Sequence, residues 1–437
     1  MDKNNVLLIN LPTTGWYKND FSQSNSMPPL GILYIATILE KNGYVVKIID
    51  FAVEKMGLND FRNVLEEYKP FVVGMSTYNE SWDAEVILSR FVKKINPQIS
   101  VFAGGAFATF CYESILNEGH TDFVVTGEGE YAVLDLCNAI SGRKNMPLCE
   151  IDGLIYYDKD SIHCNPKRER IMDLDQLPYP NRDLVKLDKY AIAFTISTAR
   201  GCPGKCIFCS SKAFWGKRVI MRSVQNIFDE VMMLHNRYHT NVFYITDDTF
   251  TASTRRVKEF CEMIKVTGVK FVWGCESRAD VVNDELLQCL KEAGCTKIQF
   301  GLESANNEIL KKLKKHVTIE QIENAVALAY KHKMHITTSY IIGHYCDTIE
   351  TIEETLSFVK RIQREYGAFV VGSVNTPFPG TEQYEKSEEL GIKIHTSDWN
   401  NYRLDNPIIN TANLSLSELR EYYERVKEIT ANNHMKA

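Results

Sequence analysis

Three cysteines on one short stretch, Cys202-Pro203-Gly204-Lys205-Cys206-Ile207-Phe208-Cys209, carry the strongest chemical signal in the sequence. Their pattern is C-x-x-x-C-x-x-C. Soft thiolates this close together can serve one metal centre. A 4Fe–4S cubane is ordinarily held by four Cys thiolates, so three leave one iron open to a ligand that is not protein. A substrate or cofactor can bind and react at that corner. Structural zinc is the alternative, but a closed zinc site needs four nitrogen or sulfur ligands, and no second pair follows the loop. Cys261, Cys275, Cys289 and Cys295 are scattered singly through periodic apolar segments and read as small core hydrophobes. A disulfide framework belongs to short secreted chains, whereas this chain has 437 residues.

The loop must be held by an element, and Ala193–Thr198 just before it is a β-rich run. Strand followed by C-x-x-x-C-x-[aromatic]-C resembles the radical S-adenosylmethionine (SAM) superfamily, with Phe208 as the aromatic residue shielding the cluster. The resemblance implies that the amino and carboxylate groups of SAM occupy the open iron, and that electron transfer cleaves SAM to a 5′-deoxyadenosyl radical.

After the loop a βα rhythm runs to the end of the chain. Strands are expected at Val242–Thr246, Lys270–Gly274, Lys297–Gly301, His335–Gly343 and Ala368–Asn375. Helices are expected at Ser223–Tyr238, Thr254–Thr267, Asp284–Ala293, between Asn307 and Lys333, and at Ile349–Tyr366. That makes six βα-like units, fewer than the eight of a full barrel. A partial (β/α)6 barrel is what the resemblance implies. A final helix, Leu416–Asn432, is an appendage. Parallel barrels place function at the carboxyl ends of strands, and polar residues fall there: Asp247 and Asp248 after the second strand, Arg278 after the third, Glu303 after the fourth. Acidic groups suit the ammonium and ribose diol of SAM, and Arg278 suits its carboxylate through a bidentate fork. Taken singly, each has a structural reading, as a helix cap, a solvated loop residue or a helix-start charge. Asp247-Asp248, Gly301-Leu302-Glu303-Ser304 and Tyr340–Gly343 also resemble the family's own segments. They add Ser339 and Tyr340 as SAM contacts. Where the family often continues with Leu-Pro-Gly-Glu-Thr, this chain reads His344-Tyr345-Cys346-Asp347-Thr348, which makes His344 and Tyr345 candidate catalytic residues.

The first third alternates strand and helix as well. Near-continuous apolar strands at Val6–Asn10, Val45–Phe51, Phe71–Ser76, Ile99–Ala103 and Asp122–Thr126 separate helices at about 30–42, Leu58–Tyr68, Ser81–Ile95 and 130–140. That pattern argues an α/β fold, a doubly wound, Rossmann-like parallel sheet covered on both faces. Ligands of such sheets bind at the carboxyl ends of the strands, so the candidate loops are Leu11–Trp16, Thr77–Asn79, Gly104–Phe107 and Gly127–Glu130. Pro28-Pro29-Leu30-Gly31, Ala103-Gly104-Gly105 and Thr126-Gly127-Glu128-Gly129-Glu130 resemble segments of the cobalamin-binding domain of one large radical SAM subfamily, the class B methyltransferase type. The residues this resemblance assigns to cobalamin are Asn10, Pro12, Ser76, Thr77, Tyr78, Gly104, Gly105, Gly127, Glu128 and Gly129. The lower-ligand motif D-x-H-x-x-G is absent, so no histidine is placed by it to ligate cobalt. Two short strand-like runs, Gly153–Tyr157 and Ser161–Cys164, sit in a connector. The expected division is 1–140, a connector 141–190, a barrel 191–380 and a C-terminal extension 381–437.

Composition sets bounds. The chain is 44% hydrophobic and 24% charged with net charge −6, as an ordinary globular protein, and shows no basic face for nucleic acid. No apolar run approaches the ~18 residues of a membrane span. Twelve cysteines without a signal peptide suggest a reducing cytoplasm. The resemblance implies a 4Fe–4S cluster, SAM and cobalamin as cofactors. It implies an electron donor such as flavodoxin or ferredoxin, and a small-molecule or peptide substrate methylated at an unactivated carbon. Two rivals stand beside it: a radical cyclisation or rearrangement without methyl transfer, and a non-catalytic metal-binding or sensor module. A methylthiotransferase would need a second three-cysteine set, and Cys111, Cys137 and Cys149 are widely spaced.

Overall fold

Apolar runs closed by turn residues build the first sheet. In the computed structural model, which describes residues 3–12 and 26–435, β1 (Asn5–Asn10), β2 (Val45–Asp50), β3 (Val72–Ser76), β4 (Ser100–Gly104) and β5 (Phe123–Val125) lie parallel in the order β2-β1-β3-β4-β5. The connecting helices are α1 (Leu30–Lys41), α2 (Leu58–Tyr68), α3 (Trp82–Ile95), α4 (Ala106–Phe110) and α5 (Tyr112–Asn117), with α6 (Gly129–Ser141) after β5. α1 starts after Pro29 and stops before Gly43, whose φ of +80° suits glycine. α2 ends at Lys69 in the left-handed region, just before Pro70. Phe61 and Leu65 of α2 and Leu88 and Val92 of α3 form one core with Leu7, Ile9, Val73, Met75 and Val101 of the sheet. α1 and α6 pack on each other, and α1 on β1 and β2.

The runs expected in the connector do form a hairpin, β6 (Leu154–Asp158) and β7 (Ser161–Cys164). It continues the sheet, because β6 pairs antiparallel with β5. The chain divides into two compact units, 1–195 and 196–437.

The second unit opens on β8 (Thr195–Ile196), β9 (Ala199–Arg200), α7 (Ser211–Trp215) and β10 (Ile220–Met221), with β9 and β10 antiparallel. Then come α8 (Val224–Tyr238), β11 (Val242–Ile245), α9 (Thr254–Val266), β12 (Val272–Ser277), α10 (Asp284–Glu292), β13 (Cys295–Glu303), α11 (Asn307–Lys312) and α12 (Ile319–Lys331). β14 (His335–Ile342), α13 (Ile349–Tyr366), β15 (Phe369–Val374), α14 (Glu382–Glu385), β16 (Lys393–Ile394), β17 (Ile409–Asn410) and α15 (Leu416–Ala431) complete it. The sheet order β15-β14-β13-β12-β11-β8 follows the chain, and β11 to β15 pair in parallel. Six strands with two free edges make the partial barrel. Ser223, Asn283, Thr318, Thr348 and Ser415 cap α8, α10, α12, α13 and α15 through their side chains.

Side-chain alternation separates the two faces of this sheet. Phe243 and Trp273 stack, centroids 5.7 Å apart, beneath Phe260 of α9. Their neighbours Tyr244, Gly274 and Glu276 therefore point to the opposite, inner face.

Candidate active site

The cysteine loop hangs from the carboxyl end of β8. The first strand is shorter than the expected Ala193–Thr198 because Thr198 leaves the sheet to bind Asp247. Thr198 donates from its backbone N (2.6 Å) and from Oγ1 to the Asp247 carboxylate, and Ala199 N donates at 3.0 Å. Gly201, at φ +95°, lets the chain pass Trp215, whose Cβ would stand 3.3 Å from an added Cβ. The loop is pinned on both sides. Ile207 N donates to the Leu313 carbonyl (3.1 Å), and the Ile207 carbonyl accepts from Gln383 N (3.0 Å).

Around the sulfurs stand two backbone amides and one hydroxyl, Thr249 Oγ1, 3.4 Å from Cys202 Sγ. Gly204 N points at Cys202 Sγ (3.4 Å) and Ser211 N at Cys209 Sγ (3.5 Å). A Cβ on Gly204 would lie 3.3 Å from both Cys202 Sγ and Arg278 Nη1, and 3.8 Å from Cys206 Sγ. Only glycine leaves that space clear between two thiols and a guanidinium. Burial raises the Cys206 thiol, while Lys315 and Arg278 pull it down. Cys209 is exposed as a residue, yet the recess around its sulfur pushes the thiol up to about 11. Among the described residues no three His, Cys, Asp or Glu side chains are grouped to hold a single metal ion. A cubane instead asks each thiolate to reach a different iron, and three thiols spread on a glycine-cleared loop beside two cations fit that demand.

The charged residues divide into scaffold and site. Asp247 is buried, and its carboxylate is spent on Thr198 and Ala199. It ties β11 to the start of the cysteine loop, so it does not face SAM as expected. Asp248 is exposed and accepts from Ser211 Oγ at 2.6 Å, beside Cys209. Arg278 also departs from expectation. Its Nε and Nη2 already form a fork onto Asp280 (2.9 and 3.0 Å), and Nη2 donates to the Lys315 carbonyl (2.9 Å). Nη1 is the nitrogen turned to the loop. Glu303 follows a bulge in β13, holds φ +64°, and accepts from Lys315 Nζ at 2.8 Å in a buried ion pair. Lys315 was not anticipated. It sits in the run Lys311-Lys312-Lys314-Lys315, which reads as a solvated face, and only its place beside Glu303 marks it.

His344 is fully buried, and among the described residues neither ring nitrogen makes a well-formed hydrogen bond, although the Glu303 backbone faces the ring. Its ring lies 5.6 Å from that of Phe208, and burial lowers its pKa to about 3. It supports the aromatic residue of the cysteine loop as a neutral ring, which does not suit the expected proton transfer. Tyr345 packs against the cluster of Ile207, Ile309, Leu313 and Cys346, and its hydroxyl interacts with the Cys346 side chain. Tyr340 points to the outer face. It meets Gly372 of β15, where an added Cβ would clash with both Tyr340 and Val426 of α15. Ser339, paired with Gly301 and Val371, faces inward.

In the first unit, β1 and β3 are neighbours whose connections leave in opposite directions, the switch point at which such sheets bind ligands. Asn10, Ser76 and Gly104 stand side by side there in register. Asn10 donates to Asp50 (2.9 Å), which also accepts from Tyr190 Oη (2.8 Å). Pro12 is buried, and residues 13–16 of the first candidate loop lie outside the described residues. Thr77 is scaffold, bonded through Oγ1 to the Gly104 carbonyl and the Ala108 amide. Gly105, at φ +100°, is required by Thr77, whose carbonyl oxygen would be 2.8 Å from a Cβ. Tyr78 is 52% exposed at this edge, and Gly127 has open space where a Cβ would be. Glu128 accepts from Ile171 N (2.7 Å), and Gly129 opens α6. The unit's two histidines lie elsewhere: His120 accepts from Arg90 Nε (3.0 Å) and His163 is on β7. Neither histidine of this unit would therefore be available to hold a corrin at this edge.

A family profile described as the radical SAM superfamily matches residues 196–359, and one described as a B12 binding domain matches residues 22–136. The chain is 32% identical over 420 residues to an uncharacterised methyltransferase of Pyrococcus horikoshii, covering 95% of this chain and 89% of that protein. It is 28% identical over 410 residues to an anaerobic magnesium-protoporphyrin IX monomethyl ester cyclase of Rubrivivax gelatinosus, covering 91% and 72%. The structure of the cobalamin-dependent SAM radical enzyme OxsB with aqua-cobalamin bound is similar at a TM-score of 0.78 and 18% identity, over 98% of this chain and 67% of that one. No helix among the described residues is long and apolar enough to cross a membrane.

Proposed function

The chain belongs to the cobalamin-binding radical SAM family, and on that premise we propose that it methylates an unactivated carbon of a small molecule or peptide. It is an enzyme whose cofactors are a 4Fe–4S cluster, SAM and cobalamin. When bound, these groups supply one-electron reduction, a SAM-derived radical and methyl transfer; the protein supplies position and shelter from water.

The observation that carries the reading is the cysteine loop on a glycine-cleared turn beside Arg278 and Lys315, in a chain that also carries a B12-type sheet. Cys202, Cys206 and Cys209 are assigned to the cluster. Arg278 Nη1 and Lys315 Nζ offer positive charge to a carboxylate next to it. Asp248 replaces Asp247 as the acidic group for an ammonium, and Glu303 and Ser339 border the space for the ribose. At the other sheet, Asn10, Tyr78, Gly104 and Gly127 are assigned to the corrin. A flavodoxin or ferredoxin would supply the electron, in a reducing compartment.

A cyclase among the relatives favours a second reading, radical ring closure without methyl transfer. Anaerobic reconstitution with iron, sulfide, hydroxocobalamin, SAM and a reductant separates the two. The methylase releases 5′-deoxyadenosine together with S-adenosylhomocysteine. Deoxyadenosine alone supports the cyclase, and a protein that retains no corrin refutes the cobalamin-dependent methylase.

A further inference from the structure

The cysteines outside the loop are not the solitary core residues their spacing suggests. Cys261 of α9 and Cys289 of α10 turn their thiols toward each other across the seam between those helices, each the first influence on the other. Cys261 is buried and Cys289 is half-buried. β12 and β13 likewise bring Cys275 and Cys295 near each other, fully buried and out of reach of solvent, with Cys295 Sγ donating to the Lys297 carbonyl (3.4 Å).

The seam between α9 and α10 holds the outer pair in register. Lys258 and Glu285 form an ion pair at 2.5 Å one turn before the thiols, and Lys265 and Glu292 form one at 3.4 Å one turn after. The steps 258, 261, 265 on one helix answer 285, 289, 292 on the other, so each helix turns one face to its neighbour. Such exposed pairs add little stability; their value here is that they fix which residues face each other. A disulfide needs two thiols on facing positions, and the register of this seam places Cys261 opposite Cys289.

We propose that Cys261 and Cys289 form a reversible dithiol/disulfide site that exchanges with low-molecular-weight disulfides of the glutathione class. Cys289 is the attacking residue, because it reaches solvent and Cys261 does not. The facing Cys261 thiol, and then the charge of Lys265, hold the Cys289 thiol below its ordinary range, against burial and the charges of Glu262 and Glu292. The Cys289 thiolate attacks one sulfur of the small disulfide, forming a mixed disulfide and releasing one small thiolate. That thiolate takes the proton of Cys261, whose sulfur then attacks Cys289 and expels the second thiolate, which picks up the proton given up by Cys289. Two protein thiols become one S–S bond, and one small disulfide is reduced to two thiols. In a reducing compartment such a pair is transient and senses redox state. Oxidation would bolt α9 to α10, the helices that follow the strands bearing Asp248 and Arg278.

The test uses the holoenzyme, equilibrated anaerobically in glutathione buffers from fully reduced to fully oxidised, trapped with N-ethylmaleimide and mapped by peptide mass spectrometry. The oxidised buffers should give a linked Cys261–Cys289 peptide two hydrogens lighter, with loss of alkylation at both, restored in the reduced buffers. In Cys261→Ser the mixed disulfide has no resolving partner, so a glutathione adduct should persist on Cys289. The proposal is overturned if both residues stay alkylated across the whole range. It is overturned too if Cys289 keeps the adduct in the unsubstituted protein as fully as in the variant, or if Cys261 links to Cys275 instead.

Discussion

Asp247 and Asp248 are neighbours in the chain with different work. Nothing in the sequence separates them, because an N-cap, a ligand and a buried scaffold all call for the same carboxylate. Burial and partners separate them: Asp247 accepts from Thr198 and Ala199, while Asp248 stands exposed beside Cys209. Asp247→Asn should therefore lower stability by about 1–3 kcal/mol, the cost of disturbing buried hydrogen bonds, and leave SAM affinity unchanged in the folded fraction. Urea unfolding with SAM titration checks this; weakened SAM binding at unchanged stability would return Asp247 to the site. The cysteines were legible from spacing alone. Lys315 was not, since a lysine among lysines carries no mark until β13 bulges and Glu303 meets it.

Periodicity placed most elements within a residue or two, and α2 matches its expected span Leu58–Tyr68. The hairpin β6–β7 was visible as two strands but not as part of the sheet, because an antiparallel edge strand leaves no trace in its own sequence of what it pairs with. α3 hides a further feature. Glu85 lies on its buried face, accepts from Thr121 Oγ1 at 2.6 Å, and is pushed from 4.5 to about 7 by burial. The folded carboxyl thus keeps its proton where the unfolded one has lost it. Stability contributed by this group is fully present below about pH 4.5 and declines as pH rises through 7, by on the order of 3 kcal/mol. Glu85→Gln should flatten that slope in unfolding measured at pH 5 and pH 8; an unchanged slope would show that Glu85 ionises freely in the fold. The seam between α9 and α10 belongs to this scale too, with its thiol pair visible only once two helices share a register.

At the scale of the whole chain, the sequence carried the fold class and the family because two long βα series each end their strands on glycine and charged residues. Both parallel sheets formed, one with a switch point between β1 and β3 and one with six strands in chain order. What the sequence could not carry is which polar groups face inward, since that depends on bulges and on packing of α15 against Tyr340 and Gly372. The account stands on the three-cysteine loop as the seat of a cluster with one iron open to SAM. The most direct measurement compares Cys206→Ala with the unsubstituted protein, both reconstituted anaerobically, for bound iron and sulfide and for deoxyadenosine released from SAM. Loss of the cluster and of all SAM cleavage is expected in the variant, with Cys289→Ser retaining both. Deoxyadenosine released by Cys206→Ala at the unsubstituted rate would contradict it.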